Sequence, residues 1–454
     1  MNFSFRKEFE KVKSILKSIK TFNWRLWLVL AATLLIPAIY QTVRVFFLGD
    51  LPNTWGFNIA SQLSWVNLIY EIVQEAFILP LFFLLGKSLT NKEEIENKTR
   101  TGLLISFGSY MILSIILVIF ARPLCEFMAS DKTTLNETVT YIRLETISAS
   151  ISIISKFITV LLVSIKKDKY MYILLGIQTV LSILLDTFLV SSLSVSAQLG
   201  VNGMAFTNII VSTILVLISF IMLKKEDINV FRKKKMEFGW LKEYGKLGLW
   251  SGIESLVRNV AFMLMVSRLV NVIAEQGNYW VANNFIWTWL LLPSIALYDV
   301  IQKEVAENKE NIRTKTLGYI VITTLFSALW FLTIPLWKPF VRNVSNVNSY
   351  ETVVYIVLIQ SGFYVLYMFN CILDGTIYGR GKTSYMLIQS LFTNGIYYVI
   401  MFILWKSGAF EPTLLSISLM FGIGMAVDLI PTIGTYIYLL KKENISIKWN
   451  LAKE

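Results

Sequence analysis

Six ionisable side chains fall inside long apolar runs of this sequence: Arg44, Glu71, Glu75, Lys156, Glu254 and Arg258. A charge inside a membrane span costs several kcal/mol or more unless it is paired or hydrated, so such residues mark ion or solute pathways by default. Asn67, Glu71, Gln74 and Glu75 share one helical face, too polar for lipid and suited to a water-filled cavity. Glu254 and Arg258 stand one turn apart and can pair. Trp280, Asn283, Asn284 and Trp287 form a second polar face, and together with Trp65, Tyr70, Trp250 and Trp289 its indoles offer surfaces on which flat cations can stack, or membrane-belt and packing residues. The chemistry available is the exchange of a proton or sodium ion by carboxylates, lysines, tyrosines or backbone carbonyls. Histidine is absent, which removes a His relay or His metal site. Cys125 and Cys371 lie in different halves and suggest neither a disulfide nor a metal site. With no His, no Cys cluster and no G-x-x-x-x-G-K-[ST] loop, neither an enzyme nor an ATP-driven pump is expected, and no resident cofactor.

The elements that must position these groups follow from composition. Of 454 residues 55% are hydrophobic and 16% charged, whereas soluble domains run near 25% charged. Apolar runs of helix-spanning length recur and no comparable period-two alternation appears, so the fold class is all-α and polytopic rather than a β-barrel. Twelve spans are expected: Trp24–Phe47, Phe57–Gly86, Thr101–Pro123, Glu137–Ile165, Lys169–Leu193, Val201–Leu223, Tyr244–Val272, Asn278–Gln302, Leu317–Trp337, Glu351–Gly379, Thr383–Trp405 and Thr413–Leu440. The net charge of +12 is concentrated in alternate connections. That pattern orients a membrane protein with both termini cytoplasmic and does not call for nucleic acid.

The chain divides into an interfacial amphipathic helix (1–22), a six-helix lobe (23–223), a basic cytoplasmic linker (224–243), a second six-helix lobe (244–441) and a cytoplasmic tail (442–454). Phe5, Phe9, Val12, Leu16 and Ile19 supply the apolar stripe of the first segment, which lacks the apolar core of a signal peptide. Lys169-Tyr170-Met171 and Ser384-Tyr385-Met386 open equivalent spans, as in a duplicated lobe, a common transporter plan. Pro37, deep in the first span, is a candidate kink.

Several short motifs, in order, resemble the multidrug and toxic compound extrusion (MATE) family over essentially all twelve spans. Gly375, Gly379, Gly381 and Thr383 keep the frame of the family's Gly-Ala-Leu-Arg-Gly-x-Gly-Asp-Thr loop after the tenth span. Asp168 keeps the acid of the matching first-lobe loop. Leu184-Leu185-Asp186, Leu199-Gly200-Val201-Asn202-Gly203 and Gly248-Leu249-Trp250 resemble further elements. The resemblance implies two pseudo-symmetric lobes around a cavity bounded by the first, second, seventh and eighth spans. It also implies antiport of small organic compounds or drugs out of the cell, driven by Na⁺ or H⁺. Flippases for lipid-linked precursors share the wider superfamily and are the alternative; Arg44, Lys156 and Arg258 would suit their pyrophosphate.

The family often carries a coupling acid on the first span, and here Val43-Arg44-Val45 puts a base at that position. Acids of the seventh span serve in some members, which points to Glu254. Two readings stay open: Arg44, Glu71, Glu254 and Arg258 form buried ion pairs that fix the lobes, or Glu254 or Glu71 exchanges a cation during transport. The expected partners are a small-molecule substrate and the lipid bilayer, with the protein acting as a monomer in the inner membrane.

Overall fold

The computed structural model describes residues 17, 19–51, 56–78, 92–231 and 235–447. Most of the expected 1–22 helix, the end of the second span with Pro80 and Gly86, Arg232–Lys234 and the tail from 448 lie outside these residues. Every regular element among the described residues is helical, and the chain is an all-α membrane protein with the two-lobed, twelve-helix architecture. The first six helices are α1 (Trp24–Gly49), α2 (Phe57–Ser61 and Leu63–Phe77), α3 (Lys92–Phe127), α4 (Leu135–Ser164), α5 (Lys169–Leu189) and α6 (Val201–Lys225). The second six are α7 (241–272), α8 (Gln276–Leu290 and Leu292–Glu307), α9 (Glu310–Val344), α10 (Tyr350–Gly379), α11 (Thr383–Lys406) and α12 (Leu414–Glu443).

Nine described helices are long and apolar enough to cross a membrane, and the bent pair forming α8, kinked by 55°, makes a tenth. The other two are α2 and α7, and they carry Glu71, Glu75, Glu254 and Arg258. Local chemistry explains the breaks. Pro293 sits in the first turn after the α8 bend, where its missing N–H costs nothing. π-turns interrupt α7 at Met263–Ser267 and α11 at Thr393–Tyr397, and another ends α9 at Phe340–Val344. Pro37, in contrast, lies inside an unbroken α1. At the start of α12 the Thr413 and Ser416 side chains cap each other's backbone N–H groups.

The twelve helices alternate between two faces. One, here the basic face, holds the start of α1, the end of α12 and the connections after α4, α6, α8 and α10. Near the other face a single core joins both lobes: Val45, Leu48, Phe57 and Tyr141 pack with Val266, Tyr279, Phe285 and Trp337. Toward the basic face the core divides. Trp65, Tyr110, Phe157 and Leu161 fill the first lobe, and Ala296, Leu297, Val300 and Tyr319 the second. Two helices cross over there. Leu30 and Ala31 of α1 pack on the second-lobe core, and Tyr244 of α7 packs in the first-lobe core.

Polar contacts also close the far face. Gln62 and Asn271 exchange amide hydrogen bonds of 2.8 and 3.0 Å, and Asn346 donates to Asp50 at 2.7 Å. Gly49 and Gly277 permit close approach: a Cβ on either would overlap Asn346 or Asn58.

Candidate functional site

Where the core divides, α2 and α7 pack on each other and form a seam between the lobes. Helical spacing puts Glu71 and Glu75 on one face of α2 and Glu254 and Arg258 on one face of α7. The Arg258 guanidinium spends each nitrogen on a different carboxylate. Nη1 lies 3.0 Å from Glu71 Oε1, Nη2 2.7 Å from Glu75 Oε1, and Nε 3.2 Å from Glu254 Oε1. Three carboxylates on one guanidinium leave excess negative charge. The Arg258 side chain is 39% exposed and Glu71 36%, so the cluster is only partly buried. Asn67 is exposed and Gln74 half-buried on the same α2 face.

The seam is stapled through the backbone. Asn259 donates to the Leu68 carbonyl at 3.0 Å, Ser251 to that of Glu75 at 2.6 Å, and Tyr244 to that of Phe77. Gly252 lies flat against Ala76, where a Cβ would meet the Ala76 methyl at 2.9 Å.

The polar groups of the two lobes near this seam differ. In the first lobe Lys156 of α4 donates to Gln74 Oε1 at 3.3 Å. In the second lobe Asn370 donates to two carboxylates at once, Asp374 at 3.3 Å and Asp428 at 3.0 Å. Thr393 donates to the other Asp428 oxygen at 2.8 Å. Asp374 Oδ1 and Asn370 Oδ1 are buried without a partner among the described residues. One amide thus bridges two carboxylates that no described Lys or Arg pairs with. Tyr378 lies within electrostatic reach of Glu75, Glu254, Arg258 and Asp374, which links these acids to the seam.

Arg44 belongs to a different site. Its Nε and Nη2 grip Asp186 at 2.8 and 3.2 Å, and Nη2 also donates to Asn208 at 3.1 Å. Asn208 in turn donates to both oxygens of Glu145, at 2.9 and 3.1 Å. Arg44 is 7% exposed; it ties α1 to α5 and α6 within the first lobe. The expectation that Arg44 joins Glu71, Glu254 and Arg258 in one ion-pair set is thereby corrected: its carboxylate partner is Asp186.

The α8 face also stays apart from the seam. Trp280 packs against Phe57 near the far face, with ring centroids 6.3 Å apart. Asn284 donates to the Trp280 carbonyl, Trp287 Nε1 donates to Tyr364, and Tyr364 donates to Asn283. Trp65 and Tyr70 are buried core residues rather than stacking surfaces. Glu145, Asp186, Asp374 and Asp428 went unrecognised as site residues in the sequence. The signal was there, since each is an acid within an apolar span, the criterion that singled out Glu71 and Glu254.

The sequence model of the MatE family matches residues 86–188. No curated protein sequence matches the chain. Among solved structures, a MOP superfamily transporter from Pyrococcus furiosus superimposes with a TM-score of 0.69 at 14% identity, covering 97% of this chain and 99% of that one. A mutant of the Vibrio cholerae MATE transporter VcmN gives a TM-score of 0.65 at 14% identity over 96% and 99%. An inward-facing multidrug resistance MATE family transporter gives 0.63 at 14% identity over 88% and 92%. Sequence over 86–188 and fold over nearly the whole chain both align the protein with the MATE transporters.

Proposed function

We propose that the protein is a cation-gradient-driven antiporter that exports small organic compounds across the cytoplasmic membrane by alternating access. The basic face is cytoplasmic, both termini lie inside, and the protein works as a monomer. The observation that carries this reading is the core itself, shared by both lobes near the far face and divided between them toward the basic face. Transport requires the seal to change faces, and solved structures of this fold include inward-facing and outward-facing conformations.

The coupling ion, Na⁺ or H⁺, is taken by the carboxylates of the second lobe. Asp374 and Asp428, bridged by Asn370, are the receiving pair, and Glu254 supplies field from the seam. Arg44 closes the first-lobe acid Asp186 to an incoming cation. The excess of acids also disfavours a pyrophosphate cargo, and with it the flippase reading.

The test is transport by purified protein in proteoliposomes, with a panel of dyes under separate Na⁺ and H⁺ gradients. Efflux that follows one gradient and collapses with it is expected. Dye movement indifferent to both gradients would overturn the proposal.

A further inference from the structure

The outer side of α6 carries an unbroken exposed stripe. Phe206, Ile210, Thr213, Leu217 and Ile221 follow one another at spacings of three or four, so they share one helical face. Leu217 is 60% and Ile221 56% exposed. Apolar side chains left open along the outside of a spanning helix face hydrocarbon. The stripe ends on Lys224, one turn beyond Ile221, exposed and in the last turn of the helix. A lysine there lays its methylenes along the apolar stripe and lifts its ammonium to headgroup level.

The chain then doubles back onto this stripe. Asp227 takes a left-handed turn, φ +56°, and Ile228 is buried in the first-lobe core. The Phe231 ring settles on Phe220 with centroids 5.4 Å apart, yet stays 78% exposed. Between the returning chain and α6 lies a cavity of about 510 Å³, lined by Phe220, Ile221, Ile228 and Phe231 with Lys224. The returning chain is held in place by α3. The Asn229 N–H donates to Glu96 at 3.3 Å, Asn97 exchanges hydrogen bonds of 2.8 and 2.9 Å with the Glu237 backbone, and Trp240 donates to Thr101 at 3.1 Å.

Charge at this cavity is unbalanced. Glu226 is taken by Lys167 at 2.8 Å and Tyr170 at 2.7 Å. Asp227, which also lines the cavity, lies 3.9 Å from Lys92. Among the described residues no carboxylate pairs with Lys224 or Lys225. The carbonyl end of α6 accounts for a base in its last turn, but not for apolar walls beside that base.

We infer that the cavity seats one anionic phospholipid, its phosphate on Lys224 and an acyl chain along Ile221 and Leu217 beneath the Phe231 ring. A soluble anion would satisfy the ammonium and leave the apolar walls uncovered. A zwitterionic lipid would cover the walls but bring its own cation to Lys224. An anionic lipid answers both the charge and the apolar surface. The leaflet is the cytoplasmic one by the topology proposed above, and the binding itself does not depend on transport.

The experiment is native mass spectrometry of the detergent-purified full-length protein, titrated with phosphatidylglycerol or phosphatidylcholine of identical acyl chains. One phosphatidylglycerol should be retained at about tenfold lower lipid concentration than phosphatidylcholine, the effect of one charge-assisted contact. Lys224→Gln should erase that preference and Lys224→Arg should keep it; the site is exposed, so both variants should melt with wild type. Lys441→Gln removes an equal charge from the same face, at the end of α12, and should leave the preference intact. Equal retention of the two lipids by wild type would overturn the inference. So would the same loss in Lys441→Gln as in Lys224→Gln, which would reduce the effect to diffuse attraction. Displacement of the lipid by soluble glycerol phosphate would overturn it as well, because the site would then serve a free phosphate.

Discussion

Gln62 of α2 and Asn271 of α7 face each other across the lobe boundary, each amide donating to the other, at 2.8 and 3.0 Å. Both are buried, and the pair is completed by Trp65 and Ser130, which donate to Gln62, and by the Met128 carbonyl, which accepts from Asn271. Asn271→Ala leaves the Gln62 amide group without its reciprocal partner while the far face is closed, at a cost of about 1–3 kcal/mol. An opened far face pays no such cost, because water replaces the partner. The expected result is roughly a tenfold or greater gain in thiol labelling at Ser130→Cys in the Asn271→Ala background. Unchanged labelling would show that the pair does not hold this face shut.

Arg258 and its three acids make asymmetric predictions. Glu254→Gln keeps shape and hydrogen-bonding capacity and leaves Arg258 compensated by Glu71 and Glu75, so the arginine is not orphaned. The melting temperature should stay within about 2 °C of wild type. Arg258→Gln leaves three carboxylates crowded around a neutral side chain. Because the cluster is partly exposed, the loss should be about 1–2 kcal/mol rather than the larger figure for a fully buried ion pair. Thermal melts of the two purified variants check this ranking. If the stable Glu254→Gln protein also keeps normal gradient-driven efflux, Glu254 has no part in coupling.

Asp374→Asn and Asp428→Asn are isosteric and remove one ionisable group each. Both should fold, since relieving the acid–acid contact offsets a lost charge–amide hydrogen bond. Gradient-driven efflux should fall at least about tenfold while downhill counterflow of solute persists. Equal loss of both modes would make the pair part of the solute site alone.

The turn between α10 and α11 is structural. Gly379 faces the Gln302 carbonyl and Val305, where a Cβ would sit 2.8 and 2.9 Å away, and Gly381 has φ +65°. Gly379→Val should lower the yield of folded protein by several-fold in size-exclusion chromatography. Lys382→Ala, at a half-buried site with no side-chain partner among the described residues, should leave yield and transport unchanged.

Sidedness is read out by fusion. A reporter attached after Glu454 should be active only where the tag is cytoplasmic, and activity confined to the other side would invert the assigned topology.

The helices were legible because their burial pattern is dominated by length and apolar content, which a single sequence carries. All twelve expected spans coincide with a helix or a pair of helix segments, although the expected second span runs past the described residues. The Glu254–Arg258 pair was legible too, since one turn of helix brings the two side chains together whatever the tertiary fold. Contacts between distant spans were not. Asp186 is 142 positions from Arg44, and nothing in either run says that α1 lies against α5. Pro37, a candidate kink by residue type, lies inside a helix that runs on without a break from Trp24 to Gly49.

That helix has a mechanical consequence. Its beginning is fastened to the second lobe, through Leu30 and Ala31 and through Trp27, whose indole donates to the Pro293 carbonyl at 3.0 Å. Its end is fastened to the first lobe by the grip of Arg44 on Asp186. Any rocking of one lobe against the other must therefore be absorbed as twist and flexure over the three turns between. Pro37 lies in the middle of that stretch, and the Thr33 carbonyl one turn back lacks its helical donor. The strand of backbone most easily deformed is thus the one that both lobes pull on, so α1 acts as a torsion spring whose stiffness sets how far the lobes can part.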